Sequence, residues 1–481
     1  MPEELDGVLV EECGVVATVD HGEASNLTYL GLHALQHRGQ ESVGIASLCS
    51  NSMHIRRKMG RVAETLTPED LSSLPGDRAI GHVRYSTAGG SVLRNAQPIF
   101  VELRFGPVAF AHNGNLTNAD VLRRQLESSG SIFHSTSDTE VIAHLVARSR
   151  KDSLEEALVE ALLQVRGAYS LVVLSREGVH AVRDAHGVRP LVLGRIENGW
   201  MVASETSSLD LIRAEFVREI EPGELLTFDP SGLQRSQRPF APVTPTPCIF
   251  ELVYFARPDS TIFGRSVYAA RVNMGRELAR STSIGADLVV PVPDSGVPAA
   301  LGYSRESGVP FELGLIRSHY VGRTFIEPSS SIRHFGVKLK LNPVAGLLRG
   351  KRVVVVDDSV VRGTTSRKIV KMIREAGASE VHFRVASPPT RWPCFYGIDT
   401  PVRSQLIAAT HSLDEIRDYI TADSIGYLTM EGLRRACAVA GEDGTDGTRF
   451  CEACFSGDYP IELSDEARRS NAKDPASDEA G

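Results

Sequence analysis

Four absences narrow the reading of this 481-residue chain. No apolar run approaches the roughly 20 residues that a membrane-spanning helix needs. No excess of positive charge exists: the formal net charge is -8, which gives no electrostatic case for nucleic acid. Residues 1–12, MPEELDGVLVEE, contain no Lys or Arg, so they do not read as a signal peptide. The seven cysteines are odd in number and unevenly spread, which argues against a secreted disulfide scaffold. The expectation is a cytoplasmic protein with no membrane or nucleic-acid partner. The length allows two or more domains, and 42 glycines with 25 prolines suit loop-rich α/β architecture.

The most informative stretch is Arg352–Ser366, RVVVVDDSVVRGTTS. Val353–Val356 read as a strand covered on both faces, as in a parallel sheet. Asp357 and Asp358 follow where it should end, and a short loop carries Arg362, Gly363, Thr364 and Thr365. Ile369, Val370, Ile373 and Ala376 then fall at helical spacing, with Gly377 as a stop. Loop amides at a helix N-terminus hold phosphate, a glycine lets backbone approach it, and paired carboxylates accept from vicinal hydroxyls. The combination points to a phosphosugar rather than to an acidic surface turn. DLVVPVPDSG (Asp287–Gly296) is a second apolar strand ending in a polar loop, so a doubly wound parallel sheet is expected, with its site at the strand carboxyl ends.

Arg352–Ser366 resembles the phosphoribosyl pyrophosphate (PRPP) signature of type I phosphoribosyltransferases. That resemblance implies that Asp357 and Asp358 hold the ribose hydroxyls and that Arg362, Gly363, Thr364 and Thr365 cradle the 5-phosphate, with Ser359 also among the PRPP-binding residues. It also implies that Ser295 joins the two aspartates around one Mg2+–PRPP complex. Mg2+ prefers few protein oxygens plus substrate phosphates, which suits an open site. Between the two strands, His319–Pro343 holds Arg323, Arg333, Lys338 and Lys340 without clean periodicity. Such a charge run is often a solvated face. The family's mobile flap implies instead a lid that orders over the pyrophosphate and excludes water.

In the first half, Cys13 alone would read as a packing cysteine. Downstream stand LQHRGQES (Leu35–Ser42), GHVRYSTAG (Gly81–Gly89), HNGNLTN (His112–Asn118) and SDTE (Ser137–Glu140). In that order and spacing they resemble the glutaminase domain of class II amidotransferases, an N-terminal-nucleophile αββα sandwich, from Cys13 to about residue 230. Glutamine hydrolysis needs a nucleophile, a base and an oxyanion site. A cysteine freed as the first residue can use its own α-amino group, of pKa near 8, as base. An internal Cys13 could not, so residues 1–12 are expected to be a propeptide. The resemblance implies Asn113 and the Gly114 amide as oxyanion donors, Arg84 on the substrate α-carboxylate and Asp138 on its α-ammonium. Arg38 would steady the nucleophile end. Gly167–Ser175 and Arg189–Ile196 read as strands, and Ser204–Asp210 as a helix start. Phe228–Pro247, rich in Pro, Ser and Gln, reads as the boundary between domains at 13–240 and 248–462.

Cysteine returns late: Cys451 and Cys454 form C-x-x-C, Cys394 sits in RWPCFYGIDTP and Cys248 opens PCIFELVYFARPDS. A lone C-x-x-C is a redox pair or half of a zinc site. All four contexts resemble the iron–sulfur class of glutamine PRPP amidotransferases, which also carries a short acidic propeptide. The resemblance implies one 4Fe-4S cluster on Cys248, Cys394, Cys451 and Cys454, with structural zinc as the alternative. Cys49 and Cys437 read as packing residues, and 464–481 as a disordered tail. Across the chain the family implies glutamine hydrolysis coupled, through an ammonia channel, to pyrophosphate displacement from PRPP, with purine nucleotide inhibitors and a homo-oligomer (tetramer or dimer). A non-catalytic PRPP sensor would have no use for Cys13, Arg84, Asn113 and Asp138. Another amidotransferase would lack the PRPP loop.

Overall fold

The computed structural model describes residues 13–85, 90–232, 234–318, 341–400, 402–438 and 449–464. Its first half is built on two antiparallel sheets. One runs, in spatial order, Glu215–Glu219, Val192–Ile196, Gly199–Ala203, Gly14–Val19, Arg78–Arg84, Ser42–Cys49 and Ser52–Met59. The other runs Gln234–Gln237, Leu225–Phe228, Gly178–Arg183, Gly167–Ser175, Gly106–Leu116 and Ile99–Leu103. Strand alternation assigns the layers. Val15, Ala17 and Ile80 face Ala109, Ala111, Val172 and Leu174 between the sheets. Val16 points the other way, to Leu32 and Leu35 beneath the helix Ala24–Ala34. Val108, Phe110, Leu171 and Val173 pack outward on the helices Thr139–Arg148 and Leu154–Leu162. The result is the αββα sandwich expected.

Two sequence expectations are refined here. Regular pairing begins at Val192 rather than Arg189, because Arg189 is turned inward to bond Glu251 and a distant carbonyl, and Pro190 has no N–H to donate. Within the expected linker, Gln234–Gln237 pairs with Leu225–Phe228 and extends the sheet. The chain then follows the first half, with Thr246 N donating to His186 O (2.8 Å) and Cys248 N to Val188 O (3.0 Å).

The second half holds a parallel sheet, Leu288–Pro291, Arg352–Asp357, Glu380–Val385 and Ser424–Tyr427. The four valines divide as a doubly covered strand requires. Val354 and Val356 meet the helices Val267–Thr282 and Val297–Ser307 on one face. Val353 and Val355 meet Ile369, Val370 and Ile373 of Thr364–Glu375 on the other. A bridge from Val289 to Phe311 adds a further parallel position beside Leu288–Pro291. The chain therefore steps one way from Leu288–Pro291 to Phe311, then to the opposite side for Arg352–Asp357. That reversal leaves a crevice at the carboxyl ends of these two strands, where open α/β sheets bind ligands.

The leader 1–12, the lid residues Arg323, Arg333, Lys338 and Lys340, and the tail beyond Ser464 lie outside the described residues. On either side of the lid segment, Leu315–Arg317 pairs antiparallel with Leu341–Pro343. Among the described residues no helix is long and apolar enough to cross a membrane.

Candidate active sites

Register brings the residues singled out in the first half to one end of the sandwich. Gly14 pairs with Val83, so Cys13 and Arg84 leave neighbouring strands side by side. Cys13 is buried, and its Sγ donates to Tyr85 O at 3.6 Å. Arg38 donates from Nε to Cys13 O at 3.0 Å, gripping the carbonyl of the expected first residue. Arg84 is 3% exposed, with Nη1 3.4 Å from Gly90 O and 3.9 Å from Glu41 Oε2.

From the second sheet come Asn113 and Gly114, paired with Ser170 and Tyr169. Gly114 has φ +142°, and a Cβ there would stand 2.0 Å from Ala168 O, so only glycine fits. The Asn113 side chain is buried, and its Nδ2 has no hydrogen-bond partner among the described residues. A buried amide donor left without a partner is costly, which makes it a candidate donor to a ligand oxygen. Asp138 Oδ2 accepts from Leu116 N (3.0 Å) and lies 3.7 Å from His112 Nδ1. His82 Nε2 meets His112 O at 3.0 Å, tying the sheets beside Asn113. Burial holds His82 down to about 3, so it is neutral at physiological pH.

In the second half the site forms in the crevice. Asp357 closes its strand, and Asp358 N donates to Asp357 Oδ1 (3.0 Å). The Ser295 side chain hydrogen-bonds Asp358, and Ser359 Oγ donates to Asp358 Oδ1 at 2.6 Å. The PDSG loop thus faces the aspartate pair, as the sequence predicts. Burial raises both carboxyls; Asp357 is pushed further up by the charge of Asp358, while Ser295, Ser359 and Arg271 partly relieve Asp358. Two buried carboxylates under mutual repulsion suit a cation or a set of sugar hydroxyls. Gly363, at φ +75°, caps the helix Thr364–Glu375, and Thr364 Oγ1 is buried with no partner among the described residues. Arg362 is engaged with Gln405 Oε1 at 2.7 Å. Thr365 begins the same helix turn.

The four late cysteines converge from three segments. Cys248 and Cys451 bridge as neighbouring backbones, with Ile249 N donating to Cys451 O at 3.3 Å. Arg391 N and Trp392 N donate to Cys454 O, which draws in the Cys394 loop. Burial raises the Cys454 thiol well above its ordinary value, and Cys248, Cys451 and Cys394 raise it further. Cys451 is pushed up to about 12, mainly by burial. Among the described residues no three His, Cys, Asp or Glu side chains form a group able to hold a single metal ion. Cys437 is buried as a packing residue, and Cys49 is half-buried at a strand end.

Sequence reading missed the polar network joining the halves. Arg38 Nη1 meets Glu205 Oε1 (2.6 Å) and Glu251 Oε2 (2.9 Å), its Nη2 meets Glu251 Oε1 (2.7 Å), and Arg189 Nη1 reaches Glu251 Oε1 at 3.3 Å. All four side chains are wholly buried. Burial opposes ionisation of Glu205, yet His37 and Arg38 outweigh it and hold the carboxyl well below the usual range. The available signal was Glu251 itself, an acid inside the apolar run IFELVYF.

Comparison with known proteins agrees with this division. The glutamine amidotransferase domain family matches residues 82–211, and the phosphoribosyl transferase domain family matches 273–387. The fold and its two sites define a glutamine amidotransferase joined to a phosphoribosyltransferase. The amidophosphoribosyltransferase of Rhizobium etli is 51% identical over 96% of this chain and 94% of its own. The chloroplastic amidophosphoribosyltransferase 2 of Arabidopsis thaliana is 54% identical over 94% of this chain and 80% of its own. A glutamine PRPP amidotransferase from B. subtilis, solved with ADP and GMP, superposes with a TM-score of 0.89 at 44% identity, covering 96% of this chain and 100% of that one. The chain belongs to the amidophosphoribosyltransferase family. Its activity is glutamine-dependent amination of PRPP in purine synthesis.

Proposed function

We propose that Cys13, exposed by removal of residues 1–12, attacks the glutamine amide with its own α-amine as base. Asn113 Nδ2 and the Gly114 amide receive the oxyanion, Arg84 pairs with the substrate α-carboxylate and Asp138 with its α-ammonium. Released ammonia displaces pyrophosphate from C1 of PRPP, giving 5-phosphoribosylamine and glutamate. Asp357 and Asp358 accept the ribose hydroxyls. Ser359, Arg362, Gly363, Thr364 and Thr365 hold the remaining polar groups, chiefly the 5-phosphate. Arg323, Lys338 and Lys340 would close over the pyrophosphate and keep water from the reacting carbon.

The buried, unpartnered Asn113 amide, next to the His112 carbonyl that His82 ties to the sheet carrying Cys13, carries the reading of the first half. Two groups complete the proposal. Ser295, Asp357 and Asp358 suit one Mg2+, which would offset pyrophosphate charge; the support is the pair of repelling carboxyls and the Ser295 bond. Cys248, Cys394, Cys451 and Cys454 suit one 4Fe-4S cluster, which would cross-link three segments rather than take part in the reaction. Its support is the convergence of four buried or half-buried cysteines, whose burial and proximity disfavour thiolates unless a cationic group is bound. A structural zinc, the alternative, is disfavoured because among the described residues no three of these side chains form a group able to hold a single metal ion. Purine nucleotides as inhibitors and a homo-oligomer in the cytoplasm follow from the family reading, the former aided by the ADP and GMP of the B. subtilis relative.

The deciding experiment is Cys13→Ala. Glutamine-dependent pyrophosphate release should vanish, while release driven by added ammonia at alkaline pH persists. A folded variant dead with both would overturn the two-site scheme.

A further inference from the structure

We infer that Glu251, a residue of the phosphoribosyltransferase half, is a positioning residue for glutamine hydrolysis in the other half. The inference rests on Cys13 acting as nucleophile and base, as proposed above. Glu251 lies on a short π-helical segment, Glu251–Phe255, at the entrance to the second domain. Its carboxylate is bonded by both buried guanidiniums, Arg38 and Arg189.

Each guanidinium leads to a different side of the glutaminase site. Arg38 bonds Cys13 O through Nε. In a chain that begins at Cys13, that carbonyl orients the Cα to which both amine and thiol are attached, so fixing it aims nucleophile and base together. Arg189 donates through Nε and Nη2 to Tyr396 O at 3.1 and 2.8 Å. The residues flanking Tyr396 back the oxyanion strand. Phe395 O accepts from Asn115 Nδ2 at 3.0 Å, and a Cβ on Gly397 would stand 3.0 Å from Gly114 Cα. One carboxylate therefore spaces the Cys13 end from the Asn113–Gly114 end.

Stability alone is a poor reason for this arrangement. Buried ion pairs can often be replaced by apolar side chains without loss, whereas orientation needs the fixed fork of a guanidinium against a fixed carboxylate. Glutamine itself is expected to be held by Arg84 and Asp138, which touch neither guanidinium of the network in the bonds described above. Misplacing Glu251 should therefore affect turnover more than glutamine binding.

The test is Glu251→Gln in the mature full-length enzyme, with Glu251→Asp and Cys13→Ala in parallel. Steady-state glutamine hydrolysis and ammonia-driven synthesis are measured on the same preparations. Glu251→Gln should lower kcat for glutamine roughly ten- to hundredfold, the scale of one lost charged hydrogen bond. KM for glutamine and ammonia-driven synthesis should stay within about threefold of the parent, since small differences of that size lie within ordinary mutational scatter. Glu251→Asp, which keeps the charge but shortens the reach, should recover part of kcat. Unchanged kcat, or equal loss of both activities, would overturn the inference. If Glu251→Gln yields no folded protein, Glu251→Asp is read alone: lowered kcat at constant KM with ammonia-driven synthesis kept supports the inference, and unchanged kcat overturns it. Failure of the underlying reading is separate, because Cys13→Ala would then still hydrolyse glutamine.

Discussion

Removing the Asn113 amide offers an unusual separation of activity from stability. Its Nδ2 is buried and makes no hydrogen bond among the described residues, so Asn113→Ala breaks no bond to that nitrogen in the resting protein. An unsatisfied buried polar group costs about 1–3 kcal/mol, which the substitution relieves. Against that stands the cavity left by the lost atoms, about 1 kcal/mol. The two nearly cancel, and denaturant unfolding should give a stability within about 1 kcal/mol of the parent or slightly above it. Turnover is another matter. An oxyanion-hole donor is used only when charge develops on the substrate oxygen, and losing one costs about 10²–10³ in kcat. Glutamine hydrolysis by Asn113→Ala should fall by that factor, while synthesis from ammonia should remain near normal. A loss below about tenfold would deny Asn113 the donor role, since a single neutral hydrogen bond accounts for that much. A stability loss above about 3 kcal/mol would instead show that the amide is bonded in the resting state.

Protein purified without oxygen should be brown and contain about four iron atoms per chain, the content of one cubane; stoichiometric zinc without iron would select the alternative. Mass spectrometry of active enzyme should find chains beginning at Cys13, and full-length chains beginning at Met1 that hydrolyse glutamine equally fast would remove the α-amine as base. Asp357→Asn combined with Asp358→Asn should weaken both the glutamine and the ammonia routes about a hundredfold or more, as two charged acceptors are lost. Asp357→Asn alone should also raise the melting temperature at neutral and alkaline pH. The folded-state carboxyl is raised above its unfolded value near 3.9, so its ionisation destabilises the fold as pH rises through the folded value. The advantage of Asn should shrink on acidification and disappear below the unfolded value; an advantage constant from pH 4 to 8 would contradict the raised carboxyl.

What could be read from the sequence was local. Val353–Val356 could be assigned to a doubly covered strand because only such a strand tolerates four valines in succession, and alternation then sends them to two cores. The PDSG loop could be set opposite Asp357 and Asp358 because a doubly wound sheet collects its loops at strand carboxyl ends. Boundaries were less legible: the polar strand Gln234–Gln237 has neither β-branched residues nor apolar alternation, so it read as linker. The Arg38–Glu251–Arg189 network was invisible for a different reason. Its partners are separated by 213 and 62 residues, and charge pairing at such distance leaves no periodic trace.

That invisible network bears on how two chemistries share one chain. Each half has its own core, yet Ala168 and Val188 of the sandwich pack into the cluster around Cys248, Val354 and Tyr303 of the second half. Apolar contact of this kind fixes proximity but not orientation, because it is nearly indifferent to small sliding. The polar bonds supply orientation: Arg189 to Tyr396 O, Asn115 to Phe395 O, Ser260 Oγ to Glu205 Oε2 at 2.6 Å. On the far side of the same segment, Arg271 donates to Leu252 O, Tyr254 O and Ala256 O while its charge acts on Asp358. The turn carrying Glu251 is therefore held at one end by Arg38, which also grips Cys13 O, and at the other by a guanidinium whose charge acts on Asp358. Two enzymes joined only by a linker would need no such segment, whereas an intermediate as easily lost as ammonia requires that the sites keep a fixed relation.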